Sequence, residues 1–186
     1  MGIKDYVCKV ILIIFRIFPI KKKILFSSFC GKQYSDNPRA IFEEMKKQYS
    51  DWKYVWVIND PTIKVEGAKT VKDYSIIMLY HLATSKIWID NSRKWNWVVK
   101  RNKQYYVQTW LGDVCLKKIE KDAEVSLDQN YVKAAIHDSK MADLMISGSK
   151  FRTQNYRTSF WYDGEILEKG TPKSDVFYKN PVPIIS

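Results

Sequence analysis

Short apolar runs alternate with helical segments along the chain, and this alternation restricts the fold more than any other feature. Several runs, such as residues 23–29, 53–58 and 86–89, are apolar at consecutive positions rather than at every second one. Strands of this kind are buried on both faces, as in parallel sheets covered by helices. The pattern predicts an α/β chain with a Rossmann-like, doubly wound parallel sheet and helices on both faces. The predicted strands are 23–29, 53–58, 69–71, 86–89, 105–109, 143–147 and 165–168, and the predicted helices are 38–48, 73–84, 126–140 and 150–158.

Charge and cysteine content narrow the function classes. The chain has 31 Lys and Arg against 20 Asp and Glu, a formal net charge of +11. Such a surface attracts polyanions: nucleic acid, anionic lipid or a phosphate-rich substrate. Nucleic acid has the least support, because zinc-finger spacing, an RNP-like aromatic signature and an arginine-rich arm are all absent. The widely spaced Cys8, Cys30 and Cys115 and two isolated histidines indicate no disulfide framework and no metal site, and they fit a reducing cytosolic compartment.

An apolar segment near the N-terminus, residues 7–20, is followed by three lysines. It is shorter than the ~20 apolar residues of a spanning helix, and two cations interrupt it. On a helix those cations, seven positions apart, share one face, while apolar side chains cover the rest. This pattern is typical of an amphipathic helix in the lipid interface, with the lysines near anionic headgroups. The alternative is a helix packed on the body of the protein. The predicted membrane residues are Lys9, Phe15, Arg16, Phe18, Lys21, Lys22 and Lys23.

Two predicted loops leave the carboxyl ends of strands, where doubly wound sheets bind ligands. They are residues 30–38 and residues 110–118. Within the first, Asn37 and Pro38 are explained by a helix start, as N-cap and first helical residue.

Four groups of residues in and beyond these loops carry a family resemblance. They are FSSFCGKQYSDNP at 26–38, WIDNSR at 88–93, YVQTW with Gly112 and LKK at 106–118, and Ile146-Ser147 with Phe160-Trp161, Gly170, Pro172 and Asp175. In order and spacing they resemble the CDP-glycerol glycerophosphotransferase family of teichoic acid biosynthesis. The resemblance covers about residues 20 to 178, and the QTW segment is its most specific part.

The resemblance implies a two-domain, GT-B-type enzyme. Its amino-terminal domain meets the membrane and a lipid-linked polyol-phosphate acceptor, and its carboxy-terminal domain holds CDP-glycerol. Glycerol phosphate passes to a terminal hydroxyl of the acceptor, and CMP is released. CDP-glycerol is a substrate here, and no cofactor is expected. The implied location is peripheral, on the cytoplasmic face of the cell membrane.

This chain resembles only the amino-terminal half of that enzyme. The predicted organisation is a membrane-surface helix at 1–22, an acceptor domain at 23–178 and a tail at 179–186, with the donor domain absent. Three explanations fit this expectation. A separate chain supplies the donor domain, or the gene is truncated, or the protein only binds acceptor.

One position departs from the family where it matters most for catalysis. In the family the QTW segment is followed by His-Gly, and that histidine resembles the general base, whereas this chain has Leu111. A base contributes roughly 10²–10⁴-fold, and a leucine side chain cannot accept a proton. Asp113 is the candidate replacement, although the usual aspartate pKa of ~3.9 would have to rise through burial. We therefore expect the chain alone to be weakly active or inactive. The alternative function is a non-catalytic acceptor-binding or partner module, and a basic lipid- or nucleic-acid-binding domain has less support.

The remaining candidates are binding residues, and several have a structural alternative. Asp90 and Asn91 fit an Asx turn equally well, Trp110 fits a buried ring, and Lys117 with Lys118 fits a solvated basic pair. The candidate acceptor-binding residues are Tyr34, Asp36, Asp90, Asn91, Trp110 and Gly112, and the candidate phosphate-binding residues are Arg93, Lys117 and Lys118.

Overall fold

The computed structural model describes residues 2–112 and 118–179. Within them, seven strands form one sheet. The strands are β1 (Lys21–Ser27), β2 (Lys53–Val57), β3 (Lys69–Val71), β4 (Ser85–Asp90), β5 (Tyr105–Gln108), β6 (Leu144–Ser147) and β7 (Glu165–Glu168). Their order is β3-β2-β1-β4-β5-β6-β7, and every neighbouring pair is parallel. The predicted Rossmann-like α/β fold class is confirmed.

The order of the strands places a crevice in the middle of the sheet. β1 pairs with β2 on one side and with β4 on the other, so that Leu25 lies beside both Val55 and Trp88. The chain therefore turns back across the sheet between β3 and β4. In doubly wound sheets this reversal leaves a ligand crevice beyond the carboxyl ends of the two central strands.

Helices cover both faces of the sheet. On one face, Leu25 and Trp88 pack with residues of the N-terminal and third helices. On the other face, Phe26 and Trp56 stack with their rings 5.3 Å apart and pack against Phe42 of the second helix. Successive strand residues thus alternate between two cores, which is why these strands read as continuous apolar runs. The helices are α1 (Ile3–Ile14), α2 (Asp36–Gln48), α3 (Ile76–Thr84), α4 (Gln129–Met141), α5 (Lys150–Ser159) and α6 (Asp175–Lys179).

Short polar side chains begin three of the helices. Ser75, Asp128 and Ser149 each accept a hydrogen bond from a backbone N–H of the first turn of α3, α4 and α5 respectively. The predicted N-cap of α2, Asn37, is wrong by two positions. Ser35 is the N-cap and α2 starts at Asp36, which leaves the Asn37 side chain available for contacts outside the helix.

Helix α1 packs on the body of the protein and also keeps an exposed apolar surface. Cys8 and Leu12 are buried against α3. Residues further round the helix are exposed, among them Ile13, Ile14 and, just beyond its end, Ile17. The structure therefore shows the helix packed on the body of the protein, and its position in a lipid interface stays a prediction. In the part of the chain that the structure describes, no helix has both the length and the apolar content of a membrane span.

Candidate functional site

Asn91 joins three chain segments at the carboxyl edge of the sheet. It directly follows β4 and its side chain is fully buried. Its Nδ2 donates to Asp36 Oδ2 at 2.7 Å, and its Oδ1 accepts from the Phe29 N–H at 2.8 Å. The loop after β1, the end of β4 and the start of α2 are therefore held together at the crevice. A buried amide with both ends satisfied rigidifies such a junction.

Asp36 extends this junction to the C-terminal part of the chain. Its second oxygen, Oδ1, lies 3.0 Å from Lys173 Nζ, and its φ of 61° is in the left-handed region. A carboxylate at the first position of a helix is also favoured by the helix dipole. We call the set Asp36, Asn91 and Lys173 the carboxyl-edge clamp. The sequence pointed to Asp36 and Asn91, and the structure brings them into direct contact.

Asn37 is a site residue that sequence reasoning missed. Its Oδ1 accepts from the Lys173 N–H at 3.1 Å, and its Nδ2 lies 3.4 Å from the carbonyl oxygens of Thr109 and Trp110. It therefore fixes the loop after β5 against the segment around residue 173. The capping pattern explained Asn37 completely from sequence, so no local signal indicated these distant partners.

The loop after β5, which we call the Trp110 loop, begins at Thr109 and contains position 111, which the family resemblance assigns to the general base. Trp110 has a positive φ of 53°, and its half-buried ring lies 4.8 Å from the Phe160 ring in an edge-on contact. The next residue, Leu111, is 44% exposed, and the Gly112 carbonyl accepts a hydrogen bond from Arg152. Leu111 therefore presents an apolar side chain to solvent at the carboxyl edge. Asp113 and Lys117 lie outside the described residues, and Lys118 is exposed.

Asp90 forms an internal ion pair. Its Oδ1 accepts from the Ser92 N–H at 2.9 Å, and its Oδ2 accepts from Lys94 Nζ at 2.8 Å. The first of these bonds forms the Asx turn that the sequence analysis gave as the structural alternative for this residue. Burial raises the pKa of Asp90 and the Lys94 charge opposes that rise. The cavity beside it, also lined by Cys30, measures about 30 Å³. That volume holds a single water molecule and is too small for an acceptor. Acceptor binding by Asp90 therefore stays a prediction, and this cavity does not support it.

Arg93 lies in a buried charge network. Its guanidinium forms ion pairs with Glu120 and with Asp138, the latter at 3.3 Å, and it lies 5.1 Å from the centre of the Trp110 ring. Burial raises the pKa of Asp138 and Arg93 opposes that rise. Two carboxylates already balance this cation. Phosphate binding by Arg93 stays a prediction and would require displacement of at least one of them.

Tyr34 anchors the loop after β1 on α2. Its hydroxyl donates to Glu43, and its ring meets the Trp56 ring edge-on at 4.9 Å. Burial, and next the Glu43 carboxylate, raises the pKa of Tyr34 well above its usual range. Packing therefore accounts for this residue, and acceptor binding by it also stays a prediction.

A groove beside the clamp is large enough for a substrate. It has a volume of about 420 Å³ and runs between α2 and residues 172–176, with Asp36 and Lys173 on its wall. Ligand sites commonly have volumes of ~300–1,000 Å³. Among residues 2–112 and 118–179, no group of three or more His, Cys, Asp or Glu side chains lies in an arrangement suited to a metal.

The predicted membrane residues divide into exposed and buried ones. Lys21, Lys22 and Phe18 are exposed. Lys23 is only 3% exposed, and its Nζ donates to Thr84 Oγ1 at 2.6 Å. Burial and then the charge of Lys21 lower the pKa of Lys23 to about 8. In this structure the Lys23 ammonium does not reach the surface, so it cannot meet a headgroup as its two neighbours can. Of the rest, Lys9, Phe15 and Arg16 are half-buried.

Comparison with known proteins agrees with the fold and the motifs. Residues 10–182 match the model of the family CDP-Glycerol:Poly(glycerophosphate) glycerophosphotransferase. A teichoic acid poly(glycerol phosphate) polymerase of Bacillus spizizenii is 31% identical over 96% of this chain and 49% of its own length. A teichoic acid glycerol-phosphate transferase of Staphylococcus aureus is 31% identical over 84% of this chain and 42% of its own length.

Solved structures agree as well. The wall teichoic acid polymerase TagF superposes with a TM-score of 0.83 at 29% identity, over 95% of this chain and 47% of that one. A TagF variant soaked with CDPG gives a TM-score of 0.83 at 30% identity, over 94% of this chain and 44% of that one. The predicted likeness to a GT-B-type glycosyltransferase domain is confirmed. The chain spans about half the length of these relatives or less.

Proposed function

Because the chain belongs to the CDP-glycerol:poly(glycerophosphate) glycerophosphotransferase family, we propose that it is the acceptor-side domain of a teichoic acid or capsule glycerol phosphate transferase. The observation that carries the proposal is the carboxyl-edge clamp. It braces the family motifs at the switch point of the sheet, next to a groove of about 420 Å³. The acceptor is a membrane-linked polyol phosphate, and the donor is CDP-glycerol.

The proposed reaction requires a proton-accepting side chain in the Trp110 loop. The acceptor hydroxyl attacks the phosphorus of CDP-glycerol, the bond to CMP breaks, and the hydroxyl proton must pass to a base. Leu111 has no lone pair to accept it, and its exposed side chain only shapes the edge of the crevice. The chain therefore binds acceptor but transfers poorly by itself. In the catalytic form of the proposal, CDP-glycerol is held by a domain like the carboxy-terminal one that the family resemblance implies.

A peripheral position on the cytoplasmic face of the membrane is part of the same proposal. Its support is the exposed apolar surface of α1, where Val10, Ile13 and Ile14 face outward, and the exposed Lys21 and Lys22 that follow. An amphipathic surface with flanking cations binds anionic bilayers through both apolar burial and charge. The membrane-linked acceptor would then be delivered within reach of the sheet.

A non-catalytic acceptor-binding module is the second candidate, and Leu111 is the observation that favours it. The two candidates differ in whether a base at residue 111 restores transfer. They make the same prediction for acceptor binding, because the clamp and its groove are present in both.

The test is CMP release from CDP-glycerol with a lipid-linked glycerol phosphate acceptor. It compares the native chain, Leu111→His and the control Leu167→His, which changes a leucine of similar exposure, 38%, on β7. A restored base would raise release by roughly 10²–10⁴-fold in Leu111→His alone. No CMP release by any of the three proteins, with acceptor still bound, supports acceptor binding without transfer by this chain alone. A chain that neither releases CMP nor binds the acceptor overturns the proposal.

A further inference from the structure

A second groove system lies at the amino-terminal edge of the sheet, away from the clamp. One groove of about 390 Å³ is bordered by Arg16, Lys100 and Arg101. Another of about 410 Å³ is bordered by Lys21, Lys86 and Trp52. Ile20 and Lys103 line both, so the two grooves are adjacent, and we call them together the basic groove. β1 has 7 residues, which separates this edge from the clamp by roughly 20 Å.

We infer that the basic groove is a second binding site, for the phosphodiester groups of a polyol phosphate. The position of this site rests on the charges at this edge, and its ligand class rests on the proposed function.

The parallel topology gathers the cations. β1, β2 and β3 begin with Lys21, Lys53 and Lys69, and Lys86 is the second residue of β4. Because all strands run in the same direction, their first residues meet at one edge. Burial and the charges of Lys21, Lys53 and Lys69 lower the pKa of Lys23 beneath them. That effect is consistent with positive potential concentrated at this edge.

Backbone carbonyls, rather than carboxylates, hold the two arginines in place. Arg16 donates to the Val99 carbonyl at 2.7 Å, and Arg101 donates to the Phe18 carbonyl at 2.8 Å. Burial and then the Arg101 charge lower the pKa of Arg16, so the two guanidinium groups repel one another. Within the described residues, neither has a carboxylate at ion-pairing distance. They are positioned cations that still lack an anion.

The lysines of the groove give the same picture. Lys22 pairs with Asp51 and Lys100 pairs with Asp143. Among residues 2–112 and 118–179, Lys21, Lys86 and Lys103 form no ion pair. The groove thus has more fixed positive charge than its own carboxylates neutralise, and an incoming anion would relieve that repulsion.

The shape and lining of the groove select phosphodiesters. Planar guanidinium groups match phosphate oxygens, and lysines add point charges. A polyol carbon chain can pack against the apolar ring of Trp52. Lys22 Nζ lies 5.5 Å from the centre of that ring. Two adjacent grooves of about 390 and 410 Å³ suit an anion with successive phosphates. Glycerol phosphate polymers and phosphatidylglycerol headgroups share this chemistry.

The test compares two double variants that remove the same charge. Lys86→Gln with Lys103→Gln changes exposed residues of the groove, and Lys121→Gln with Lys133→Gln changes exposed lysines outside it. All four side chains are exposed, so both proteins should fold as the native chain does. The probes are a soluble glycerol phosphate oligomer, vesicles of phosphatidylcholine with and without phosphatidylglycerol, and a single-stranded oligonucleotide.

We expect the groove variant to bind a glycerol phosphodiester probe about tenfold more weakly, with little change in the control variant. Loss for the oligomer identifies a polymer as the ligand source, and loss for the vesicles alone identifies lipid headgroups. Equal losses in both double variants overturn the inference, as does a groove dependence confined to the oligonucleotide. The CMP-release assay addresses the opposite edge, so failure of the proposed function leaves these outcomes unchanged.

Discussion

Replacing Lys23 with methionine should stabilise the folded chain at neutral pH, although the change removes hydrogen bonds. The Lys23 ammonium is buried beside Thr84 and His81, and it forms no ion pair with any described residue. Burial, followed by the charge of Lys21, lowers the pKa of Lys23 from 10.5 to about 8. The folded state therefore holds this proton less tightly than the unfolded chain does.

The size of the effect follows from the shift. One pKa unit corresponds to about 1.4 kcal/mol, so a change from 10.5 to about 8 destabilises the folded state by about 3 kcal/mol. Because the folded pKa is the lower one, this destabilisation is complete below pH 8 and disappears as the pH rises to 10.5. Methionine leaves the His81 ring without a partner, at a cost of about 1 kcal/mol. Thr84 keeps its bond to the Tyr80 carbonyl. The net gain at pH 7 is about 1–2 kcal/mol.

Urea unfolding followed by tryptophan fluorescence at pH 7 and pH 10 measures this gain. The control is Lys22→Met, which removes an exposed lysine paired with Asp51 and should change stability by less than about 1 kcal/mol. Other groups that titrate near pH 10 are common to all the proteins, so the difference between variants isolates Lys23. The reasoning is refuted if Lys23→Met is less stable than the native chain at pH 7. It is equally refuted if the difference is the same at both pH values.

Three further predictions concern the carboxyl-edge clamp, the buried charge network of Arg93 and the segment that follows α1. Asn91→Ala removes the partner of Asp36 Oδ2 and of the half-buried Phe29 N–H, and should lower the free energy of unfolding by about 2–4 kcal/mol. A loss below about 0.5 kcal/mol in urea unfolding would show that the clamp does not hold the loops. Arg93→Met removes the ion-pair partner of two buried carboxylates, Glu120 and Asp138, and should cost about 3–5 kcal/mol at pH 7. Part of the loss should be recovered as the pH falls and Asp138, whose pKa burial raises, becomes protonated. A pH-independent loss would contradict the pairing. Ile17→Asp should weaken flotation with anionic vesicles, whereas Val125→Asp, at an exposed valine elsewhere in the chain, should not. Equal effects would argue against membrane contact by the segment around residue 17.

Sequence patterns predicted the sheet well and one helix surface poorly. All predicted strands are present, since consecutive apolar residues report burial on both faces directly. Ile76 and Ile77 of helix α3 are exposed, whereas His81 and Thr84 are buried. The helix is apolar nearly all round, so periodicity could not indicate which side its neighbours would cover.

The candidate site was only partly predictable. Asp36 and Asn91 were both candidate acceptor-binding residues, and the structure places them in contact although they are 55 positions apart. The contact between Asn37 and the Lys173 backbone spans 136 positions, and no local pattern indicates a partner at that separation. The local explanation of Asn37 as a helix cap satisfied the sequence and was wrong.

The sequence by itself determined the parallel α/β fold and the edge of the sheet where the family motifs lie, because strand burial and strand ends are local properties of the chain. Only the tertiary structure decided which charges are available to a ligand. Arg93 had been predicted to bind phosphate, and it faces Glu120 and Asp138. Lys23 had been predicted to meet the membrane, and it lies buried beside His81, whereas Lys86 and Lys103 remain exposed without an acidic partner in the described chain. Ion pairing depends on distance through space, and residues that are neighbours in sequence do not report it.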